Sequence, residues 1–325
     1  LLWQVVPSGT PTTQGTVQIS ALFTSTVGQE SPLFIAAATT SGPSNSAATY
    51  KGFGGGPTSW TTTEYLASSI FPVGGKIDKL NVVVVSAPGA NASYSYVLYQ
   101  NGSPTNLGGG ASCVAAPGTG ACTCVISGAL TKTCSDTTTA AIAISATDTI
   151  SLAAIPCGTL STPSCTGALT SSSLGGSLRW VPTTTNQALL FQLANTMPAT
   201  TSTHYMNVNG SGQDDTTETN TYNITPLLTT HMTMRNLTVA QCPGPGASAR
   251  TRQLLLRANG GTPASEPTLT VGSGSTACPT LTTAQDTTDT YVSLPGDLLD
   301  LSTVASATAN TALTTYKTSM SVTVP

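Results

Sequence analysis

Eight cysteines, two histidines and thirteen carboxylates are the side chains of this 325-residue chain with the clearest capacity to bind metal, attack a carbonyl or move a proton. The histidines are His204 and His231. A Ser-His-Asp arrangement would have to recruit one of them, and no Gly-x-Ser-x-Gly elbow exists to present the serine. Paired carboxylates could serve a glycosidase, yet Asp136 and Asp286 each open an Asp-Thr-Thr run and Asp148 and Asp297 sit in turn sequences, where an aspartate hydrogen-bonds its own backbone. Asp214, Asp215 and Glu218 form the one acidic cluster, without the Asp-x-Asp-x-Asp-Gly spacing of a calcium loop. Gly52-Phe53-Gly54-Gly55-Gly56 lacks the Lys-Ser/Thr and helix of a phosphate loop. The expectation is a chain with no catalytic residue, no cofactor and no metal site.

The cysteines sit at 113, 122, 124, 134, 157, 165, 242 and 278, an even number in a loop-rich chain, which points to disulfides and an oxidising location. Cys157 and Cys165 should pair, because the seven residues between them include Gly158 and Pro163 and can close a short loop. Cys242 and Cys278 are expected to pair with each other. Cys113, Cys122, Cys124 and Cys134 allow three connectivities, all open at this point. Zinc is disfavoured because Cys122-Thr-Cys124 lacks the paired knuckles or nearby histidines of a zinc site.

Composition narrows the field further. Only 7% of residues are charged, the formal net charge is −3, and the ten basic residues cluster only loosely at Arg250, Arg252 and Arg257. A nucleic-acid partner would require a basic face to displace counterions, so none is expected. No apolar run approaches the roughly 18 residues of a membrane span, and Leu1 to Val6 lacks the basic flank and length of a signal peptide. Mean hydropathy is positive and β-branched residues recur in short alternating runs, which argues for a folded chain.

Sliding the chain along itself uncovers an internal repeat. Leu80-Asn81-Val82-Val83-Val84-Val85 aligns with Leu237-Thr238-Val239-Ala240-Gln241-Cys242 at an offset of 157, and Ala87-Pro88-Gly89-Ala90 with Gly244-Pro245-Gly246-Ala247. Farther on, Asn101-Gly102 matches Asn259-Gly260, Asp136-Thr137-Thr138 matches Asp286-Thr287-Thr288, and Asp148 with Leu152 matches Asp297 with Leu301. Upstream, Leu33-Phe34 matches Leu190-Phe191, and Tyr50 matches Tyr205. A repeat this long is a whole domain rather than a solenoid turn of about 20 to 50 residues. Domain one is placed at Ser31 to Pro182, domain two at Gln187 to Pro325, and an N-terminal arm at Leu1 to Glu30. The short joint Pro182 to Asn186 should hold the two close together.

Within each unit the pattern reads strand, turn, strand. Ile77 to Val85 is a β-branched run, Pro88-Gly89 turns the chain, and Tyr94 to Tyr99 is expected to return along it. Asn101-Gly102 supplies the positive-φ residues of a tight hairpin. No stretch holds a helical period for more than about two turns. About eight strands per unit favour an all-β chain of two tandem jelly-roll-like β-sandwiches. Five Asn-x-Ser/Thr triplets, at Asn91, Asn101, Asn209, Asn223 and Asn236, matter only if the source glycosylates. Trp60 and the tyrosines could form a sugar platform, but sandwich cores need aromatics too.

The segments Leu80-Asn81-Val82, Asn101-Gly102, Asp136-Thr137-Thr138 and Ala146-Thr147-Asp148-Thr149-Ile150 together resemble a β-sandwich unit of bacteriophage virion proteins. That resemblance implies a capsid decoration, spike or fibre head, at a virion surface, in a homo-oligomer that is by this resemblance a trimer, with other structural proteins of the particle as partners. Two further roles stand beside it: the subunit of an extracellular filament or coat assembled by strand addition, and a receptor- or glycan-binding adhesin. Low charge leaves neutral faces best buried against neighbours. The arm carries an alternating apolar run with Val17, Ile19, Leu22 and Phe23, expected to dock on a neighbouring copy or to add a strand to the chain's own first sandwich.

Overall fold

The computed structural model describes residues 30–35, 42–54, 60–116, 118, 120–157, 165, 170, 173–194, 201–208, 216, 225–226, 231–243, 251–261, 267–272, 277–306, 313 and 315–323. The expected arm residues Val17, Ile19, Leu22 and Phe23 lie outside them, as do Asp214, Asp215 and Glu218.

Short strands alternating with turns dominate. The first half of the chain holds β1 (Ser31–Ile35), β2 (Thr49–Lys51), α1 (Glu64–Ala67), β3 (Ser69–Ile70), β4 (Gly75–Val84), β5 (Gly89–Gln100) and β6 (Ser103–Pro104). It continues with α2 (Gly110–Ala115), β7 (Val125–Gly128), β8 (Thr133–Asp136), β9 (Ile142–Ile144), β10 (Thr149–Pro156) and β11 (Leu174–Pro182). The second half holds β12 (Gln187–Ala194), β13 (His204–Met206), β14 (Thr225–Pro226), β15 (Met232–Cys242) and β16 (Arg252–Ala258). Its last strands are β17 (Thr268–Val271), β18 (Thr282–Ser293), β19 (Leu298–Ala305) and β20 (Thr315–Thr323).

Each half builds two antiparallel sheets with the same order. In the first, one sheet runs β1-β11-β4-β8 and the other is built on β2-β10-β5 with β7 on β5; in the second, the sheets run β12-β20-β15-β18 and β13-β19-β16-β17. Counting principal strands within a half, first pairs with last, second with seventh, third with sixth and fourth with fifth. That is one long antiparallel ribbon rolled so that alternate pairs fall in opposite sheets, the connectivity of a jelly roll. The short β3, β6, β9 and β14 attach to this frame.

The rolled ribbon corrects one expectation. β4 and β5 do not pair: they lie in opposite sheets, so the Pro88-Gly89 turn carries the chain across the sandwich rather than around a hairpin. Asn101-Gly102 does close a hairpin, with Gln100 opposite Ser103 and both turn residues at positive φ.

Side-chain alternation explains the layers. In β4, Ile77, Leu80, Val82 and Val84 point into the core while Lys79, Asn81 and Val83 face out. The alternation slips by one at Lys79, whose φ of 55° marks a bulge; Asn236, at the matching place in β15, has φ 56°. Gly75 clears room for a core ring, since a Cβ there would come within 2.1 Å of Trp180. β5 is buried on both faces: Tyr94, Tyr96 and Leu98 join the main core, and Val97 and Tyr99 pack with Cys113 and Val114 of α2. The second core gathers Met234, Leu237, Leu254, Leu256, Leu301 and Tyr316.

Four disulfides lock the loops: Cys113–Cys122, Cys124–Cys134, Cys157–Cys165 and Cys242–Cys278, with Cα separations of 4.8, 5.0, 5.1 and 5.7 Å. Cys122 and Cys124 therefore diverge, one holding α2 and the other tying the approach to β7 onto β8. Four such bonds indicate an oxidising environment.

Candidate functional site

Among the described residues, the four aspartates that recur between the halves are engaged in turn structure. Asp136 accepts hydrogen bonds from the Gly108, Thr138 and Thr139 amides and from the Thr123 and Thr139 hydroxyls. Its burial alone would raise the pKa, but these donors outweigh it and hold the carboxyl at about 2. Asp286 repeats the arrangement, accepting from the Thr268, Thr288 and Asp289 amides and the Thr288 hydroxyl, and again the donors overcome burial and lower its pKa.

Asp148 and Asp297 form a second repeated device. The Asn101 side-chain amide donates to Asp148 while its oxygen accepts from the Thr149 amide; Asn259 does the same with Asp297 and Leu298. In both halves this clasp ties the turn before the seventh strand to the end of the fourth. Asn91, Asn101 and Asn236, three of the five triplet asparagines, all occupy the left-handed region, a backbone role that accounts for them.

His204 is buried in β13, and His231 shares a hydrogen bond between Nδ1 and the Ser293 carbonyl. Among the described residues, no three His, Cys, Asp or Glu side chains come together as a metal site. A surface depression of about 550 Å³ beside Gln100, Asn101, Thr105, Asn106 and Thr139 is lined by amides, hydroxyls and apolar groups, with no ionisable residue. Tyr94, Tyr96, Tyr99 and Tyr316 are core residues, unavailable as a sugar platform.

What stands out instead is a sheet face, understood through the joint between the halves. Along β12, Leu190 packs into the second core, whereas Leu189 and Phe191 turn the other way into the core of the first half. Phe191 meets Phe71 edge-on at 5.1 Å between ring centroids. Gly54, at φ +69°, lies flat against it, and a Cβ there would come within 2.7 Å of the Phe191 Cβ. Around this contact Lys317 Nζ donates to Ser68 Oγ, and Gln285 Nε2 donates to the Pro72 carbonyl. Burial pushes the Lys317 pKa down to about 7, against the opposing pull of Glu64. The segment Glu64 to Pro72 of the first half thus covers the outer face of β12, β20 and β15. No motif marks this segment in the sequence, because it lies outside the stretches that match between the repeats.

The corresponding face of the first half is uncovered among the described residues. By repeat and strand register, Phe34 stands where Phe191 does, Val83 where Ala240 does, Asn81 where Thr238 does, and Gly175 and Ser177 where Lys317 and Ser319 do. Phe191 is 3% exposed and Ala240 0%, while Phe34 is 58% exposed and Val83 48%. These residues, with Gly176, shape a groove of about 780 Å³.

No family model matches the chain, and no curated protein matches it. Among solved structures it is similar to that of infectious bursal disease virus, Gt strain, at 12% identity and a TM-score of 0.21 over 94% of this chain and 75% of that one. It is similar to the T=3 Penaeus vannamei nodavirus at 12% identity and a TM-score of 0.19, over 100% and 99% of the two chains. Dimeric latent PorU from Porphyromonas gingivalis gives 12% identity and a TM-score of 0.21 over 78% of this chain and 25% of that one. Likeness at this level carries no argument about function.

Proposed function

We propose that this chain is a non-enzymatic structural protein that acts by assembly, as a component of a virion surface. The observation that carries the assembly role is the face of the first half that no described residue covers: large apolar side chains are exposed at Phe34 and Val83, on a sheet whose counterpart in the second half is buried. The matched aspartates support a non-catalytic role, since their oxygens are taken by turn donors. The virion setting rests on the turn motifs shared with bacteriophage sandwich units; the capsid decoration, spike or fibre role and the trimer rest on that resemblance too. Four disulfides fit a particle that persists outside cells. The second reading, a filament or coat subunit, draws on the same open face. Immunogold labelling of native material with antibody to this chain separates them: label on the shells of virus-like particles is expected, label along fibres would transfer the role to a filament, and label on neither would remove both.

A further inference from the structure

We infer that the groove over Phe34, Val83, Gly175 and Gly176 receives a second copy of this chain, which presents the far end of its second half, so that copies join head to tail. This rests on the assembly role proposed above and names its partner. The template is inside the molecule. The second half's sheet face is covered by a segment of the half that precedes it, through Phe71 on Phe191 and Gly54 against the same ring. The first half carries the same face with the same phenylalanine, and no described residue covers it. Continuing the internal arrangement by one step puts the second half of another copy there.

The far end of the second half is built for such a contact. β14 pairs with the start of β19 as β3 pairs with the start of β10, so Thr225–Pro226 sits where Ser69–Ile70 does in the covering segment. Leu298 pairs with Pro226 and is exposed, as are Leu294 and Val292, at and before the turn that leads into Leu298. Their counterparts in the first half, counted back and forward from the matched Asp148 and Asp297, are Ala143 and Ser145, both exposed, and the half-buried Thr149. Small or polar residues have become large apolar ones at the end with no described neighbour. The groove is also the cheaper half of the pair to bury, because Gly175 replaces the buried Lys317 of the internal joint. The two surfaces differ from each other, so the contact is heterologous and copies add in one direction, closing into a ring or extending as a filament.

Sedimentation velocity on three full-length chains tests this: wild type, Phe34→Asp/Val83→Asp with the groove blocked, and Leu294→Asp/Leu298→Asp with the far end blocked. The four positions are exposed, and matching thermal melts will show that the variants fold; if the aspartates lower the melt, Phe34→Ser/Val83→Thr carries the groove arm. Wild type should associate beyond a dimer, and each variant alone should self-associate about tenfold or more weakly. Mixed one to one, the variants should form a dimer that grows no further, since each keeps the surface the other lacks. A mixture that stays monomeric would overturn the head-to-tail arrangement in favour of a self-complementary face. A groove variant that assembles like wild type would overturn the groove itself, and covering of the groove by residues 1–29 of the same chain would give that result. A wild-type chain that stays monomeric would remove the assembly role along with the inference.

Discussion

A carboxylate that accepts five hydrogen bonds from its own and neighbouring turns has no lone pair left for a substrate, and Asp136 is in that position. Replacing it by alanine strands three amides and two hydroxyls. Asp136→Ala should lower stability by about 3 kcal/mol, the scale of charge-assisted bonds lost from a buried site, read by urea denaturation at pH 7. Its ionised form is favoured by folding: the folded pKa is about 2 against about 3.9 in an unfolded chain. The contribution is therefore complete above about pH 4 and lost as pH falls through 2. Asp136→Asn should flatten that acid limb. Two buried lysines carry a dependence of the same sign at higher pH. Burial holds Lys317 at about 7 and Lys51 at about 8, below the value of about 10.4 in an unfolded chain. Between those values the unfolded chain binds more protons, so stability rises with pH. Denaturation midpoints should increase from pH 6 to pH 9, and Lys317→Met should weaken the rise while stabilising the protein at pH 6.

At the scale of elements, the repeat shows which features the fold requires. The third-strand bulge recurs at Lys79 and Asn236, the Asn–Asp clasp at 101/148 and 259/297, and the Asp-Thr-Thr turn at 136 and 286. Disulfides do not recur in the same way: three short loops close the first half and one long loop, of sequence separation 36, closes the second. Chain entropy assigns about 4 kcal/mol to a loop of that length and about 2.5 kcal/mol to the separation of 8 at Cys157–Cys165. The double variant Cys242→Ala/Cys278→Ala should thus lower the melting temperature more than Cys157→Ala/Cys165→Ala, as scanning calorimetry would register. Much of this was legible in the sequence. Turn aspartates and Asn-Gly are local signals, and their recurrence at fixed offsets exposed the repeat. Three things were not. Whether β5 returns beside β4 or crosses to the other sheet depends on long-range pairing that Pro88-Gly89 cannot encode. The bulge sits at a lysine, a residue type with no preference for positive φ. The outward turn of Leu189 and Phe191 looks, in sequence, like any apolar strand, because Leu33-Phe34 has the same letters and a different exposure.

Over the whole molecule, the two halves act as each other's control. One sheet face, present twice, is buried once by the neighbouring half and, among the described residues, left open once, and the open copy keeps its phenylalanine. Retaining a large apolar side chain on a solvent face costs solubility with no return in a monomer. The charge-poor composition adds little repulsion between copies, with 7% charged residues and a net charge of −3. Burying that face requires association, which is read from the mass of the wild-type chain in solution across concentration, by analytical ultracentrifugation under non-reducing conditions. Species at multiples of 32.7 kDa that grow with concentration are predicted. A single 32.7 kDa species persisting into the high micromolar range would show that the chain does not self-assemble.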